Sequence, residues 1–159
     1  MERQIFQVVC VVRSLEETLA NWKRLVEFRE DSIKDASRET SEARCLYHGQ
    51  EVQVPVKAVR FDLGGIDLKL VEPLNREGDP YSDSLRAHGQ GFHHLGIYAE
   101  NAAQLSERCG SAKAPVYEEI TEKGRYLLFD FTGEMGFAFT PWDHMTGPCG
   151  PRDPQGRTV

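Results

Sequence analysis

Residues 91–99, GFHHLGIYA, set the architecture, because they open a second copy of a unit that the chain has already built once. The first copy opens with another short apolar strand, residues 5–12, IFQVVCVV. A helix-capping residue follows each strand, with Glu or Gln three positions later, as in a capping box: Ser14 with Glu17, and Asn101 with Gln104. The sequence therefore predicts a strand and a helix, twice, in two similar modules.

The first module is predicted to span residues 1–74. Alternation along its first strand places Gln7 and Val9 on one face and Phe6 and Val8 on the other. The helix is predicted from Ser14 to about residue 28, with one apolar stripe formed by Leu15, Leu19, Trp22, Leu25 and Val26. Residues 31–53 are polar and mixed in charge, so we expect an insertion that forms a loop with one weak strand near residues 45–47.

Residues 56–63 and 66–71 alternate around Gly64-Gly65, which predicts a tight hairpin. A two-residue turn places Arg60 opposite Lys69 and Asp62 opposite Asp67, with oppositely charged side chains on the diagonals. The other face of this hairpin is apolar and is expected to pack under the first helix: Val59, Phe61, Leu63, Ile66, Leu68 and Leu70. A shift of one residue would exchange the two faces, so the apolar set fixes the register.

The second half of the chain repeats the plan after a connector, residues 75–90, in which a short helix is expected near residues 82–88. The second module is predicted over residues 91–142, with strands at 92–99, 115–120, 125–131 and 136–140 and a helix at 101–109. Residues 143–159 are rich in Pro and Gly and lack aromatic side chains, so they are predicted to form a flexible tail.

Charge and hydropathy exclude several classes of function. The formal net charge is −6 and the basic residues are scattered among acidic ones, which argues against a nucleic-acid partner. No apolar run reaches the roughly 18 residues that a membrane span needs. The first residues lead directly into a strand instead of the apolar core of a signal peptide, so we expect a cytoplasmic protein without a membrane partner.

Two strand-helix-strand-strand-strand units, with FHHLGI opening the second and LVEPL closing the first, resemble the vicinal oxygen chelate superfamily of glyoxalases, bleomycin resistance proteins and dioxygenases. The nearest branch is that of methylmalonyl-CoA epimerase, and the resemblance covers roughly residues 4–142. It implies an α+β fold in which two βαβββ modules form a cupped, barrel-like mixed sheet. It also implies a homodimer, because cups often pair between chains, although two modules in one chain can close on themselves.

The same resemblance implies a divalent metal inside the cups, bound by four positions that fall here on Gln7, Lys69, His94 and Thr140. Only His94 is a good ligand, and Gln7 is a tolerable neutral one. A charged Lys69 has no lone pair to donate, and Thr140 stands where epimerases carry a carboxylate. We therefore expect either no cofactor or a divalent metal held by His94 and Gln7 in a degenerate site.

The leading interpretation is an isomerase of the epimerase or racemase type, or a related lyase, that moves a proton next to a carbonyl of a small oxygenated substrate. Lys69 would serve as the electrophile, and His94 or Asp67 as the base. The groups expected to bind the substrate are Arg60, which would hold a carboxylate or phenolate, Tyr98, Gln7, Thr140 and Asp62. An acyl-CoA or a flat aromatic ketone would fit. The neighbouring His93 is predicted to face the helix side, since consecutive strand residues point to opposite faces.

Two alternatives remain open. The first is a non-catalytic protein that sequesters a small molecule in the same cups, as bleomycin resistance relatives do. The second is a metal-dependent enzyme of the glyoxalase or dioxygenase kind.

Overall fold

Alternating apolar segments fold into strands, which dominate the part of the chain that the structure describes. The computed structural model describes residues 5–37, 43–98, 113–122 and 124–142. The helix predicted at residues 101–109 and the tail predicted at 143–159 lie outside these residues.

Ten strands and three helices lie in the described residues. The strands are β1 Ile5–Val11, β2 Lys34–Asp35, β3 Arg44–Tyr47, β4 Gln50–Val52, β5 Val56–Asp62, β6 Asp67–Pro73, β7 Gly91–Tyr98, β8 Tyr117–Thr121, β9 Gly124–Phe131 and β10 Phe137–Trp142. The helices are α1 Leu15–Leu25, α2 Pro80–His88 and the single turn α3 Thr132–Met135, and a 3₁₀ turn covers Glu30–Ser32. None of the helices described is long and apolar enough to cross a membrane.

The strands form one mixed sheet in the order β2-β5-β6-β1-β7-β10-β9-β8-β3-β4. Its two halves follow the same plan: β1 pairs in parallel with β6 and β7 in parallel with β10, and two antiparallel strands follow on each side. The antiparallel pairing of β1 with β7 joins the halves within one chain. The predicted α+β class with a mixed, curled sheet is confirmed.

The hairpin of β5 and β6 has the predicted register. Arg60 pairs with Lys69 and Asp62 with Asp67. On its apolar face, Phe61 and Leu70 are buried beneath α1 in a cluster that includes Leu15, Leu19, Trp22 and Leu68. Burial of that apolar face stabilises this register, because a shift of one residue would expose all of these side chains to water.

The first turn of α1 is capped from two sides. Ser14 is the N-cap, and its Oγ accepts a hydrogen bond from the N–H of Glu17 at 3.2 Å, as predicted. Glu72 Oε2, on β6, accepts from the N–H of Leu15 at 2.8 Å. The Glu72 carboxylate therefore ties the N-terminus of α1 to β6. Its negative charge also interacts favourably with the positive end of the helix dipole.

The insertion at residues 31–53 is more ordered than predicted. It contains the expected strand as β3, and also the short strands β2 and β4 and the 3₁₀ turn. β2 pairs with β5, whereas β3 pairs with β8 at the far end of the sheet. The prediction of a loop was wrong because pairing with distant strands, which local sequence does not encode, orders these segments.

The insertion also curls the sheet. Only residues 53–55 connect β4 to β5, although these strands stand near opposite ends of the strand order. Three residues span about 10 Å, so the two ends must approach each other. The interior between them is an apolar core: Val9, Val11, Cys45, Val54, Val56, Ala58, Val71, Tyr81, Tyr117 and Leu128. The interior-facing side chains of β1 are apolar at Val11 and Val9 and polar at Gln7. The apolar core therefore fills one end of the cup, and polar groups line the other end.

Candidate functional site

The four positions singled out by the family resemblance converge on the interior of the sheet. Lys69 and His94 are the cross-strand partners of Val9 on its two sides. Gln7 pairs with Gly96, which in turn pairs with Thr140. His94 is 0% exposed, Thr140 1% and Gln7 8%, whereas Lys69 is half-buried. The sheet register therefore gathers these side chains from four different strands.

A β-bulge places His93 beside His94. Val9 pairs with His94 and Cys10 pairs with Phe92, so His93 is an extra residue in β7. A bulge puts two residues of one strand against one of the next and breaks the alternation of side chains. The prediction that His93 and His94 point to opposite faces, with His93 on the helix side, was therefore wrong. Its Nδ1 lies 2.8 Å from His94 Nδ1, and its ring packs on Tyr81 of the core, 5.0 Å between centroids.

The two imidazoles belong to a continuous row of hydrogen bonds. His93 Nε2 lies 3.0 Å from the carbonyl oxygen of Pro80. His94 uses Nδ1 toward His93, and its Nε2 is hydrogen-bonded to the hydroxyl of Tyr126. Both nitrogens of each ring therefore have a partner, as buried polar groups require.

Burial keeps both histidines neutral. The pKa of His94 lies well below its ordinary value, first because the ring is desolvated, and then because His93 and the Lys69 ammonium lie close by. Desolvation also lowers the pKa of His93, partly opposed by its hydrogen bond to Pro80 and by the charge of Asp79. The positive charge of Lys69 therefore lowers the pKa of His94, whereas the negative charge of Asp79 raises the pKa of His93.

Tyr126 is a site residue that the sequence reasoning missed. It lies on β9, where its cross-strand partner is Glu119, and it is half-buried. The Lys69 ammonium lies 5.8 Å from the centroid of its ring, close enough for a cation–π interaction. Tyr126 lies two residues before the buried Leu128 in β9, so alternation places both side chains on the same face. The sequence did not show that this face of β9 is the interior one.

Charged side chains extend the site along the β5–β6 hairpin. Arg60 and Asp67 form an ion pair on the predicted diagonal, 3.7 Å apart, with side chains 20% and 23% exposed. Asp62 is exposed, and its Oδ1 accepts a hydrogen bond from the N–H of Gly65 at 2.6 Å. The structure thus brings Arg60 and Asp67 to the site, whereas Asp62 builds the turn.

Tyr98 and Phe6 form an aromatic wall next to Gln7. Their ring centroids are 4.8 Å apart. Ile5 pairs with Ile97 and Gln7 with Gly96, so Phe6 is the extra residue of a second bulge and leaves the face predicted for it. A Cβ built on Gly96 would lie 2.6 Å from Phe6 Cζ and 3.0 Å from Gln7 Cβ. Gly96 is therefore what allows the Phe6 ring to lie on the interior side.

A divalent cation does not suit these donors. Lys69 presents an ammonium group, and both ring nitrogens of His94 are hydrogen-bonded within the protein. None of the four positions carries a carboxylate, so nothing there neutralises a dication. Across the described ranges, no three His, Cys, Asp or Glu side chains come together as a metal site. The Thr140 hydroxyl is buried without a hydrogen-bond partner in the part of the chain that the structure describes, which suits a ligand oxygen or nitrogen.

Comparisons with known proteins support a common fold. A sequence model described as the Glyoxalase/Bleomycin resistance protein/Dioxygenase superfamily matches residues 6–129. No curated protein matches the chain by sequence.

Several solved structures match this chain over nearly its whole length, at low sequence identity. A hypothetical protein from Bacillus halodurans is 14% identical with a TM-score of 0.55, covering 91% of this chain and 97% of that one. A variant methylmalonyl-CoA epimerase from Streptomyces coelicolor, in complex with 2-nitronate-propionyl-CoA, is 14% identical with a TM-score of 0.55 and coverages of 89% and 96%. A methylmalonyl-CoA epimerase in complex with methylmalonyl-CoA and NH4+ is 15% identical, with a TM-score of 0.55 and coverages of 93% and 98%. At such identities the likeness concerns the fold alone.

Proposed function

Since the chain belongs to the glyoxalase, bleomycin resistance protein and dioxygenase superfamily, we propose that it is an isomerase of the epimerase or racemase type. It moves a proton on the carbon next to a carbonyl group. The reaction needs a base for that proton and a positive group for the enolate oxygen that develops. We also expect a cytoplasmic homodimer.

The observation that carries the proposal is the placement of Lys69. Its ammonium lies beside a buried, neutral His94 and over the Tyr126 ring. Lys69 itself occupies one of the four positions at which the family resemblance implies a metal ligand. A fixed positive charge in a partly desolvated site stabilises a developing oxyanion without moving a proton. Lys69 would therefore replace the metal as the electrophile.

The proposed substrate is an acyl thioester that carries a carboxylate. Methylmalonyl-CoA is bound by one epimerase of the same fold, in a complex that also contains an ammonium ion. Here Lys69 supplies an ammonium as part of the chain. Arg60 adds a planar guanidinium that could hold the carboxylate of the substrate in place of its ion pair with Asp67. The Thr140 hydroxyl offers a further hydrogen bond.

A binding protein without catalysis is the second candidate. The absence of a carboxylate at Gln7, Lys69, His94 and Thr140 favours it, because those four positions then lack the usual acid–base groups. In this reading Lys69 and Arg60 simply bind an anionic ligand.

Deuterium exchange separates the two candidates. The protein is incubated with methylmalonyl-CoA in ²H₂O, beside a protein-free control, and mass spectrometry follows the label entering the substrate. Titration with 2-nitronate-propionyl-CoA, whose anionic nitronate resembles an enolate, measures binding. Protein-dependent exchange is the result expected of an isomerase. Binding without exchange indicates sequestration, and the absence of both excludes the acyl-CoA class.

Lys69→Met removes the ammonium and keeps an apolar side chain of similar length. The nitronate compound should bind about 10- to 100-fold more weakly, a loss of about 1.4–2.8 kcal/mol, because its charge loses its positive partner. Calorimetric titration measures the affinity. The matched control is Lys57→Met, which removes an exposed lysine of the same hairpin. Equal affinity in wild type and the Lys69 variant would place the ligand elsewhere.

A further inference from the structure

The row of hydrogen bonds through the histidine pair has one end in the protein core and the other at the site. It starts at the Pro80 carbonyl and ends at the hydroxyl of Tyr126. We propose that Tyr126 is the catalytic residue that takes the proton from the substrate and returns it, and that His94 and His93 form a relay behind it. This inference rests on the proposed isomerase function and names the group that moves the proton.

The Pro80 carbonyl fixes the direction of every hydrogen bond in the row. A carbonyl oxygen only accepts, so His93 donates through Nε2–H and, being neutral, carries a lone pair on Nδ1. His94 must then donate through Nδ1–H at 2.8 Å, which leaves its Nε2 as an acceptor. The Tyr126 hydroxyl therefore donates its proton to His94, and its oxygen is the atom of this row that can accept another proton.

Proton transfer through this row is balanced. The Cα–H bond of the substrate breaks, its proton binds the Tyr126 oxygen, and the electron pair moves onto the carbonyl oxygen beside Lys69. The phenol proton passes to His94 Nε2, and the His94 Nδ1 proton passes to His93 Nδ1. His93 then carries one positive charge and still donates to Pro80. The half-buried Tyr126 hydroxyl then exchanges its proton with solvent, and the enolate turns its other face toward it. Reversal of the relay steps delivers one proton to that face of the enolate carbon, which inverts the carbon and admits deuterium from ²H₂O.

The charges around the relay favour this direction. Lys69 lies on the side of His94, where it disfavours an imidazolium. Asp79 lies on the side of His93, where it favours one. Asp79 is fully buried as the N-cap of α2, its Oδ1 accepting from the N–H groups of Tyr81 and Ser82 at 2.9 Å. Its Oδ2 is also buried and has no hydrogen-bond partner within the described ranges, so part of this carboxylate's charge is left for His93.

The bulge in β7 is what makes the relay possible. In a regular strand the rings of His93 and His94 would lie on opposite faces and could not share a hydrogen bond. Bulges are frequent next to active sites, where they redirect a side chain. A pair that only filled the core would not need its outer end at a half-buried tyrosine beside a lysine.

The catalytic arm of the test compares two hydroxyl deletions. Tyr126→Phe should slow deuterium exchange into methylmalonyl-CoA by about 100-fold or more, while its affinity for 2-nitronate-propionyl-CoA stays within about threefold of wild type. Thr18→Val is the control, since it also removes a hydroxyl donor, one that bonds to the Ser14 carbonyl oxygen at 2.7 Å in the first turn of α1. Exchange by the Tyr126 variant at a rate near wild type would overturn the proposal.

The second arm needs no substrate. Long-range ¹H–¹⁵N NMR of the imidazole rings distinguishes the two tautomers, and the signals are assigned by their loss in His93→Asn and His94→Asn. The relay requires Nε2–H on His93 and Nδ1–H on His94 in the resting protein. A proton on His94 Nε2 would overturn it. If wild type exchanges no substrate proton, the isomerase function fails for methylmalonyl-CoA, and the tautomers alone decide whether the relay exists.

Discussion

The two modules contribute unlike walls to one cup. The first-module wall, defined as Arg60, Asp67 and Lys69, is charged and half-buried. The second-module wall, defined as His94, Tyr126 and Thr140, is uncharged, and two of its three members are 1% exposed or less. Buried groups that bond to one another fix the fold, whereas half-exposed charges add little stability. The second wall should therefore govern stability, and the first wall should govern the attraction of an anionic ligand.

Removing His94 should give the largest effect on stability. His94→Ala leaves the Tyr126 hydroxyl and His93 Nδ1 without their partner and opens a cavity, so we expect a loss of about 3 kcal/mol in the free energy of unfolding. Urea denaturation measures it. Lys69→Met should cost less than about 1 kcal/mol. His93→Asn should impair activity less than His94→Ala. A larger loss of stability from Lys69→Met would break the comparison between the walls.

The next largest effect should be a loss of stability at acid pH. His93 and His94 have lowered pKa values in the folded state, so unfolded chains bind more protons below the ordinary value of about 6.5. Stability should thus be constant above that pH and fall by up to about 1.4 kcal/mol per pH unit for each imidazole as the pH drops toward 5. The charge of Lys69 adds to the lowering of the His94 pKa, whereas the hydrogen bond to Pro80 and the charge of Asp79 oppose the lowering of the His93 pKa.

Urea denaturation between pH 5 and pH 7.5 measures this slope. His93→Asn should reduce it, because one buried imidazole is gone. His88→Gln, which removes an exposed histidine at the end of α2, is the control and should leave it unchanged. An equal slope in wild type and His93→Asn would mean that His93 is protonated in the folded protein.

The first wall could be read from the sequence because a single hairpin builds it. Gly64-Gly65 fixes the turn, and the apolar face fixes the register, so Arg60, Lys69 and Asp67 follow from local pattern. The family resemblance added His94 and Thr140, and the structure brings both to the interior beside Gln7.

The second wall could not be read in the same way because its contacts depend on irregularities and on distant strands. The bulges at Phe6 and His93 reverse the faces that strict alternation predicts. Tyr126 reaches His94 only through the pairing of β9, β10 and β7, and no local signal sets that register. The strands of the insertion likewise form against β5 and β8. Sequence pattern thus predicts elements well and long-range registers poorly.

The smallest expected effect on stability tests the first wall directly. Arg60→Gln removes one partner of an ion pair whose 3.7 Å separation is too long for a hydrogen bond and whose side chains keep some contact with water, so the free energy of unfolding should fall by only about 1 kcal/mol. The same change should weaken binding of 2-nitronate-propionyl-CoA by about tenfold, about 1.4 kcal/mol, if Arg60 holds an anionic group. Urea denaturation and calorimetric titration give the two values, and Arg44→Gln, in the exposed ion pair with Glu51, is the control. A stability loss without an affinity loss would reverse the assignment, making Arg60 a structural residue and leaving Lys69 as the sole ligand-binding cation of this wall.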